Sequence, residues 1–229
     1  MSMPLPGVTS SQLSGVRFLV DNTRTVHGND VVLDSGNTDA GSTPTSRFRP
    51  GNVIVKRTST GRYVEADDTN GDRCTAPSVV SAEDVDGDWK GKTITLTLNG
   101  AAIVTVTLDA GDDDKTKVVT SLNASGPFRA NALASADGNK VKVTALQTGA
   151  DVYLKVTSNL ATAFGANGQE ARGTDADYRV TAAYADLAID GSAVHAPVAT
   201  ILRGNFDVTK LVNLTDEAAA VFSRNPAVG

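Results

Sequence analysis

Alternation of apolar and polar residues is the dominant pattern along the chain, and it predicts short β-strands joined by tight turns. In "RFRPGNVIVKRTSTGRYVEAD", residues 47–67, Val53 and Val55 alternate with Asn52 and Lys56. A polar turn follows at Ser59-Thr60-Gly61, and Tyr63 and Val64 lie on the returning strand. Gly61 supplies the positive φ that such a turn needs. A second hairpin is predicted in "GKTITLTLNGAAIVTVTLDAG", where two alternating runs flank Asn99-Gly100, a pair well suited to a two-residue turn. "KVKVTAL" and "VYLKVTS" predict further strands on either side of Gln147-Thr148-Gly149. From Asp177 to Val208 the sequence is again β-prone, with a turn at Asp190-Gly191.

Helical signals are confined to two segments. "DDDKTKVVTSLNASG" places Asp112–Asp114 at a helix start, Val118, Val119 and Leu122 on one face, and Gly126-Pro127 as a stop, which predicts one short helix. "LTDEAAAVFSRN" has Thr215 as N-cap, acids in the first turn and Arg224 near the end. Ahead of the first hairpin, residues 1–49 show no sustained helical period. They alternate short apolar patches with Ser, Thr, Gly, Asn and Asp, and they predict an extended arm. Within the arm Val16, Phe18 and Val20 share one side of a potential strand.

Composition sharpens this picture. At 229 residues the chain can bury a sizeable core, and only 5% of it is aromatic, which suits many short strands rather than a helical bundle. The expected fold class is mainly β. A net charge of −5 and the lack of a basic stripe argue against a nucleic-acid partner. No apolar stretch approaches the roughly 20 residues that span a membrane, and the first residues lack the basic start and apolar run of a secretory signal. Cys74 is the single cysteine and cannot close an intrachain disulfide.

Reactive chemistry finds little to work with. His27 and His195 are the only histidines, and His195 lies in a β-prone run where a structural role is expected. Asp84, Asp86 and Asp88 have calcium-loop spacing, but Trp89 stands where the loop needs glycine and Thr95 where it needs the closing Glu, so a solvated acidic loop is the expectation. "GDWKGKT" is one residue short of a phosphate loop and leads into a strand. Asn123-Ala-Ser and Asn213-Leu-Thr match the glycosylation pattern by chance. The Asp112–Asp114 run reads as a helix-start cluster. No catalytic residue, metal ligand or cofactor is assigned.

Two segments carry a resemblance. "FRPGNVIVKRTSTGRYVEAD" and "AYADLAIDGSAVHAPVATILRGNFDV" are similar to the head decoration, or capsid-stabilising, proteins of tailed phages, of the type found in phage lambda. Pro50, Gly51, Gly61, Asp190, Gly191, Arg203 and Gly204 carry the likeness, which covers about residues 50–76 and 175–213. Members of that family are about half this length, so residues 77–174 stand outside it. That segment, with "ITLTLNGAAIVTVTL", "VVTSLNASG", "NALASADGNKVKVTALQTGA" and "VYLKVTS", resembles the small repeat of flagellar hook-associated proteins.

The resemblance implies an arm (1–49), a β-rich core (50–76 with 175–229) and an inserted β-β-α-β-β domain (77–174) that projects from a surface. It also implies a virion protein, assembled in the host cytoplasm, that binds the outer surface of the expanded head as trimers at threefold positions. Its partners are then the major capsid protein and further copies of itself. The arm would add a strand to a capsid-protein edge, with Val16, Phe18 and Val20 as the seated face. A displayed binding module or adhesin, contacting a host surface or carbohydrate through the insert, is the alternative. The insert's few aromatics, Trp89 and Tyr153 among them, argue against sugar stacking.

Overall fold

The computed structural model describes residues 19–67, 69 and 71–224. Among the described residues the fold is mainly β, with 40% strand and 15% helix. The chain forms two compact units: the first takes the chain up to Arg73 and again from Ala176, the second Cys74–Asp175.

The first unit opens with β1 (Leu19–His27), β2 (Val31–Leu33), β3 (Arg47–Phe48), β4 (Val53–Arg57) and β5 (Arg62–Glu65). The second unit contains β6 (Ser78–Val80), β7 (Thr93–Leu98), β8 (Ala101–Thr107), α1 (Lys115–Ala124), α2 (Gly126–Arg129), β9 (Ala132–Asp137), β10 (Lys140–Ala145), β11 (Tyr153–Ser158) and β12 (Gln169–Arg172). The first unit resumes with β13 (Tyr178–Thr181), β14 (Ala185–Asp186), β15 (Ala188–Ile189), β16 (Ser192–Ala193), β17 (Ala196–Val198), β18 (Thr200–Phe206) and α3 (Asp216–Arg224).

In the first unit seven strands form one sheet in the order β1-β18-β13-β4-β5-β2-β17, with β2 parallel to β5 and the other pairs antiparallel. The pairs β3–β14 and β15–β16 form two small ribbons. Alternation explains which side chains enter the core: β2 buries Val31 and Leu33 and leaves Val32 out, and β17 does the same with Ala196 and Val198 around Pro197. Leu33, Phe48, Ile54, Tyr63 and Leu187 fill one cluster.

This overturns the expectation of an extended arm reaching residue 49. Leu33 and Phe48 are fully buried, β1 pairs with β18, and β2 lies between β5 and β17. Apolar residues alternating over a stretch this long are better satisfied by a neighbouring strand than by solvent. Val20 falls within β1, so its backbone belongs to the sheet rather than to a free arm. Val16 and Phe18 lie outside the described residues.

The second unit stacks its elements around a separate core. Its sheets have the orders β6-β10-β9 and β12-β11-β7-β8. Trp89, Phe128, Phe164, Ile94, Leu96 and Leu122 are all buried in one cluster. The β7–β8 hairpin turns on Asn99 (φ 50°) and Gly100 (φ 82°), the positive pair that a two-residue loop requires. Asp114 caps α1, its carboxylate accepting the N–H groups of Thr116 and Lys117 at 2.8 and 3.1 Å.

The second unit is richer than the β-β-α-β-β expectation, with seven strands and two helices. Gly126-Pro127 does not end the helical region but starts α2, since proline is tolerated in a first turn. The strands flanking Gln147–Gly149, β10 and β11, belong to different sheets, and β10 pairs instead with β9 and β6. Where the unit begins and ends, Thr75 and Thr174 are clasped together. The Thr75 N–H donates to the Thr174 carbonyl (2.9 Å), the Thr174 N–H to the Thr75 hydroxyl (3.0 Å), and the two hydroxyls lie 2.7 Å apart.

Candidate docking surface

The two segments that carry the resemblance meet in the first unit. β13 pairs with β4 on one side and β18 on the other, so residues remote in sequence become neighbouring strands. Pro50 and Gly51 are buried where the chain enters β4. Gly51 has φ 89°, its N–H donates to the Thr181 carbonyl (2.8 Å), and its carbonyl accepts from Val212 N–H (3.0 Å). A side chain there would hold the backbone in a conformation that L residues rarely adopt.

A buried polar node fixes this corner. The Asp39 side chain is fully buried and accepts from Arg49 Nε and Nη2, both at 2.8 Å, from the Arg49 N–H at 3.0 Å and from Asn52 Nδ2 at 3.2 Å. The Thr181 hydroxyl donates to the Arg49 carbonyl (2.9 Å) and accepts the Asn52 N–H (3.0 Å). Burial pushes the Asp39 carboxyl up, but the hydrogen bonds from Arg49, Asn52 and Gly41 outweigh it and hold the group below the ordinary carboxylate value. A second node joins Tyr63, whose hydroxyl donates to Asp177, to Arg179, which forks onto Asp177 at 3.0 and 3.1 Å and lies 5.2 Å from the Tyr63 ring centre. Burial and the Asp177 carboxylate together push the Tyr63 hydroxyl well above its usual value.

The exposed face of this unit is partly apolar. Tyr184 lies under the Arg47 guanidinium, 4.8 Å from ring centre to Cζ, and β3–β14 pairing brings Arg47 beside Asp186. The β15–β16 turn, Asp190 (φ 50°) and Gly191 (φ 81°), presents Ile189 at 58% exposure. Gly61 turns the β4–β5 hairpin at φ 70°. Arg203 is exposed on β18, and a side chain at neighbouring Gly204 would meet Leu19 Cδ2 at 2.9 Å, so glycine lets β1 approach.

Several of the titratable residues weighed in the sequence have structural partners. His195 Nδ1 accepts the Ser35 N–H at 2.9 Å. Asp86 accepts the Asp88 N–H at a 3-10 turn that buries Trp89. Asp112 accepts the Asp109 N–H. Lys117 and Lys90, at 2.7 and 3.1 Å, hold the Asp113 carboxyl down to about 2. Asn123 is occupied by β9, accepting the Ala134 N–H (3.0 Å) and donating to the Ala134 carbonyl (2.9 Å). Among the described residues no group of three or more His, Cys, Asp or Glu side chains is placed to hold a metal ion.

Sequence reasoning missed both polar nodes. Asp39 and Asp177 look like loop acids, and only the approach of β13 to β4 shows what they meet. No protein-family model and no curated protein matches the chain.

Proposed function

We propose that the chain is a capsid decoration protein: it binds the outer surface of an expanded tailed-phage head and stabilises it against internal DNA pressure. It acts as trimers at threefold positions, with the major capsid protein and further copies of itself as partners. The observation that carries this reading is the adjacency in one sheet of the two segments that resemble the decoration family, 50–76 and 175–213, with the buried Asp39–Arg49 node holding their junction. Cementing is a matter of complementary surface and many weak contacts, and it needs no reactive group. The exposed Tyr184 and Ile189 offer apolar contact area on that unit. The residues ahead of β1, with Val16 and Phe18, would supply the strand added to a capsid-protein edge.

The test is co-sedimentation of the purified protein with expanded, undecorated heads, comparing the full chain with a chain lacking residues 1–18. Saturable binding that raises the heads' resistance to heat, and that is lost with the deletion, is expected. Binding by both forms would discard the strand-addition mechanism. Binding by neither would discard the cement reading and favour a displayed binding module.

A further inference from the structure

The second unit shields its sheet edges unevenly. β6 is three residues long. β12 carries Glu170 and Arg172. The outer edge of β9 is covered by Asn123, whose side chain takes both main-chain groups of Ala134 as a neighbouring strand would. In the first unit β1 is broken by register shifts and β17 contains Pro197. Each is a known way of discouraging further pairing.

β8, the outer strand of its sheet, has less protection. "AAIVTVT" is seven residues long, without charge or proline. Its register against β7 slips once, passing over Ile103, and is regular from Val104 to Thr107. The Leu108 N–H bonds to the Lys92 carbonyl, so Val106 and Val104 turn their main-chain groups toward β7. The main-chain groups of Thr105 and Thr107 then face outward. Among the described residues nothing hydrogen-bonds to them. α2 reaches β8 through the shared core, where Phe128 and Val106 are both buried.

We propose that β8 pairs antiparallel, about a twofold axis, with β8 of a second copy of this chain. The strand is self-complementary. With the axis at Thr105, each Thr105 exchanges both main-chain bonds with its counterpart, and Val106 lies opposite Val104, which continues the inward apolar row. Two copies of an acidic chain meet here at a segment that bears no charge, so the approach is free of like-charge repulsion at the contact. One strand pair buries less than the roughly 1,200 Å² typical of a stable interface, so the contact is weak between dilute molecules and firm where copies are held side by side.

The inference is independent of head binding and is tested without heads, by sedimentation velocity of the full chain across the micromolar range. The wild-type protein is expected to double the mass of its smallest species as concentration rises. Thr105→Pro removes an outward N–H, and Thr105→Lys sets two cations opposite each other. Each is expected to weaken the doubling roughly tenfold or more, Thr105→Pro through the loss of about one net hydrogen bond per copy and Thr105→Lys through repulsion of like charges across the pair. Thr95→Lys, on the same exposed face but on the inner strand β7, is expected to associate as wild type. A mixture of Thr105→Lys with Thr105→Glu chains is expected to regain association. Fluorescence of Trp89, the single tryptophan, checks that each variant is folded. Absence of doubling in the wild type, doubling unchanged by Thr105→Lys, or a mixture that stays apart would each overturn the proposal.

Discussion

The two units solve the same problem, a stable β structure with few aromatics, by different means. The second unit rests on an apolar core: Trp89 meets Phe164 edge-on with ring centres 6.0 Å apart, Phe128 is fully buried, Asp113 and Asp114 stay at the surface, and the buried Asp112 serves a local turn, accepting the Asp109 N–H at 2.8 Å. The indole N–H of Trp89 has no partner among the described residues, so the ring contributes by area and packing alone. The first unit buries a carboxylate, Asp39, and organises its chain path around it. An apolar core tolerates volume-conserving change and carries no group that proton concentration can alter, whereas a buried ion pair depends on both its exact geometry and pH.

The largest test of this contrast is Trp89→Ala. It is expected to cost the second unit about 3–5 kcal/mol, the usual range for truncating a buried aromatic. Hydrogen exchange should then rise across β7–β11 while β4 and β13 keep their protection; equal loss in both units would erase the distinction. Asp39→Ala is the mirror experiment. It strands the Arg49 and Asn52 donors, and an expected loss of about 3 kcal/mol falls on β4, β13 and the Gly51 corner. Asn52 is buried but Arg49 is partly exposed and can turn to water, which keeps the loss at the lower end of that class.

Acid should separate the units further. Asp39 and Asp177 have folded pKa values below their unfolded ones; for both, burial acts upward but is outweighed by hydrogen bonds, from Arg49 and from Arg179 and Tyr63 respectively. Their contribution is therefore complete above the unfolded value of about 3.9 and is lost as pH falls through the lower folded value. Amide protection in the first unit should fall below about pH 4 while Trp89 fluorescence, which reports the second, holds. Asp39→Asn should flatten that pH response, and a response that stays as steep would remove Asp39 from the account. The smallest effect is expected from Asn123→Ala, which bares the β9 edge and costs about 1 kcal/mol in urea unfolding.

How far each unit could be read in advance follows from the same contrast. Local signals gave the Asn99-Gly100 and Gly61 hairpins, the Asp114 cap and the Thr215 cap, because each depends on a few adjacent residues. β9 escaped because the one large apolar residue of "ALASAD", Leu133, faces outward while only alanines face the core, and its pairing with β10 is set by the turn at Gly138 (φ 61°). The stretch before residue 49 misled because its polar richness hid buried anchors at Leu33 and Phe48, whose partners lie far along the chain. The candidate surface was legible in part: the turns and the buried Pro50-Gly51 corner are where their residue types demand. The acid at its centre is not legible, since nothing local in the sequence distinguishes Asp39 from acids such as Asp84 or Asp88, for which a solvated loop is the expectation.

The Thr75–Thr174 clasp has a meaning for how such a chain could arise and be remade. A module whose two ends are tied to each other within 3 Å can be lifted out or exchanged while asking of its host only one loop's width. Because lengthening a closed loop adds only about (3/2)RT ln n to its closure cost, the host hardly registers whether that loop holds a handful of residues or a whole folded body. The 74–175 segment is thus wired as a cassette, and replacing it with another domain of adjacent termini would turn the remaining strands into a display platform.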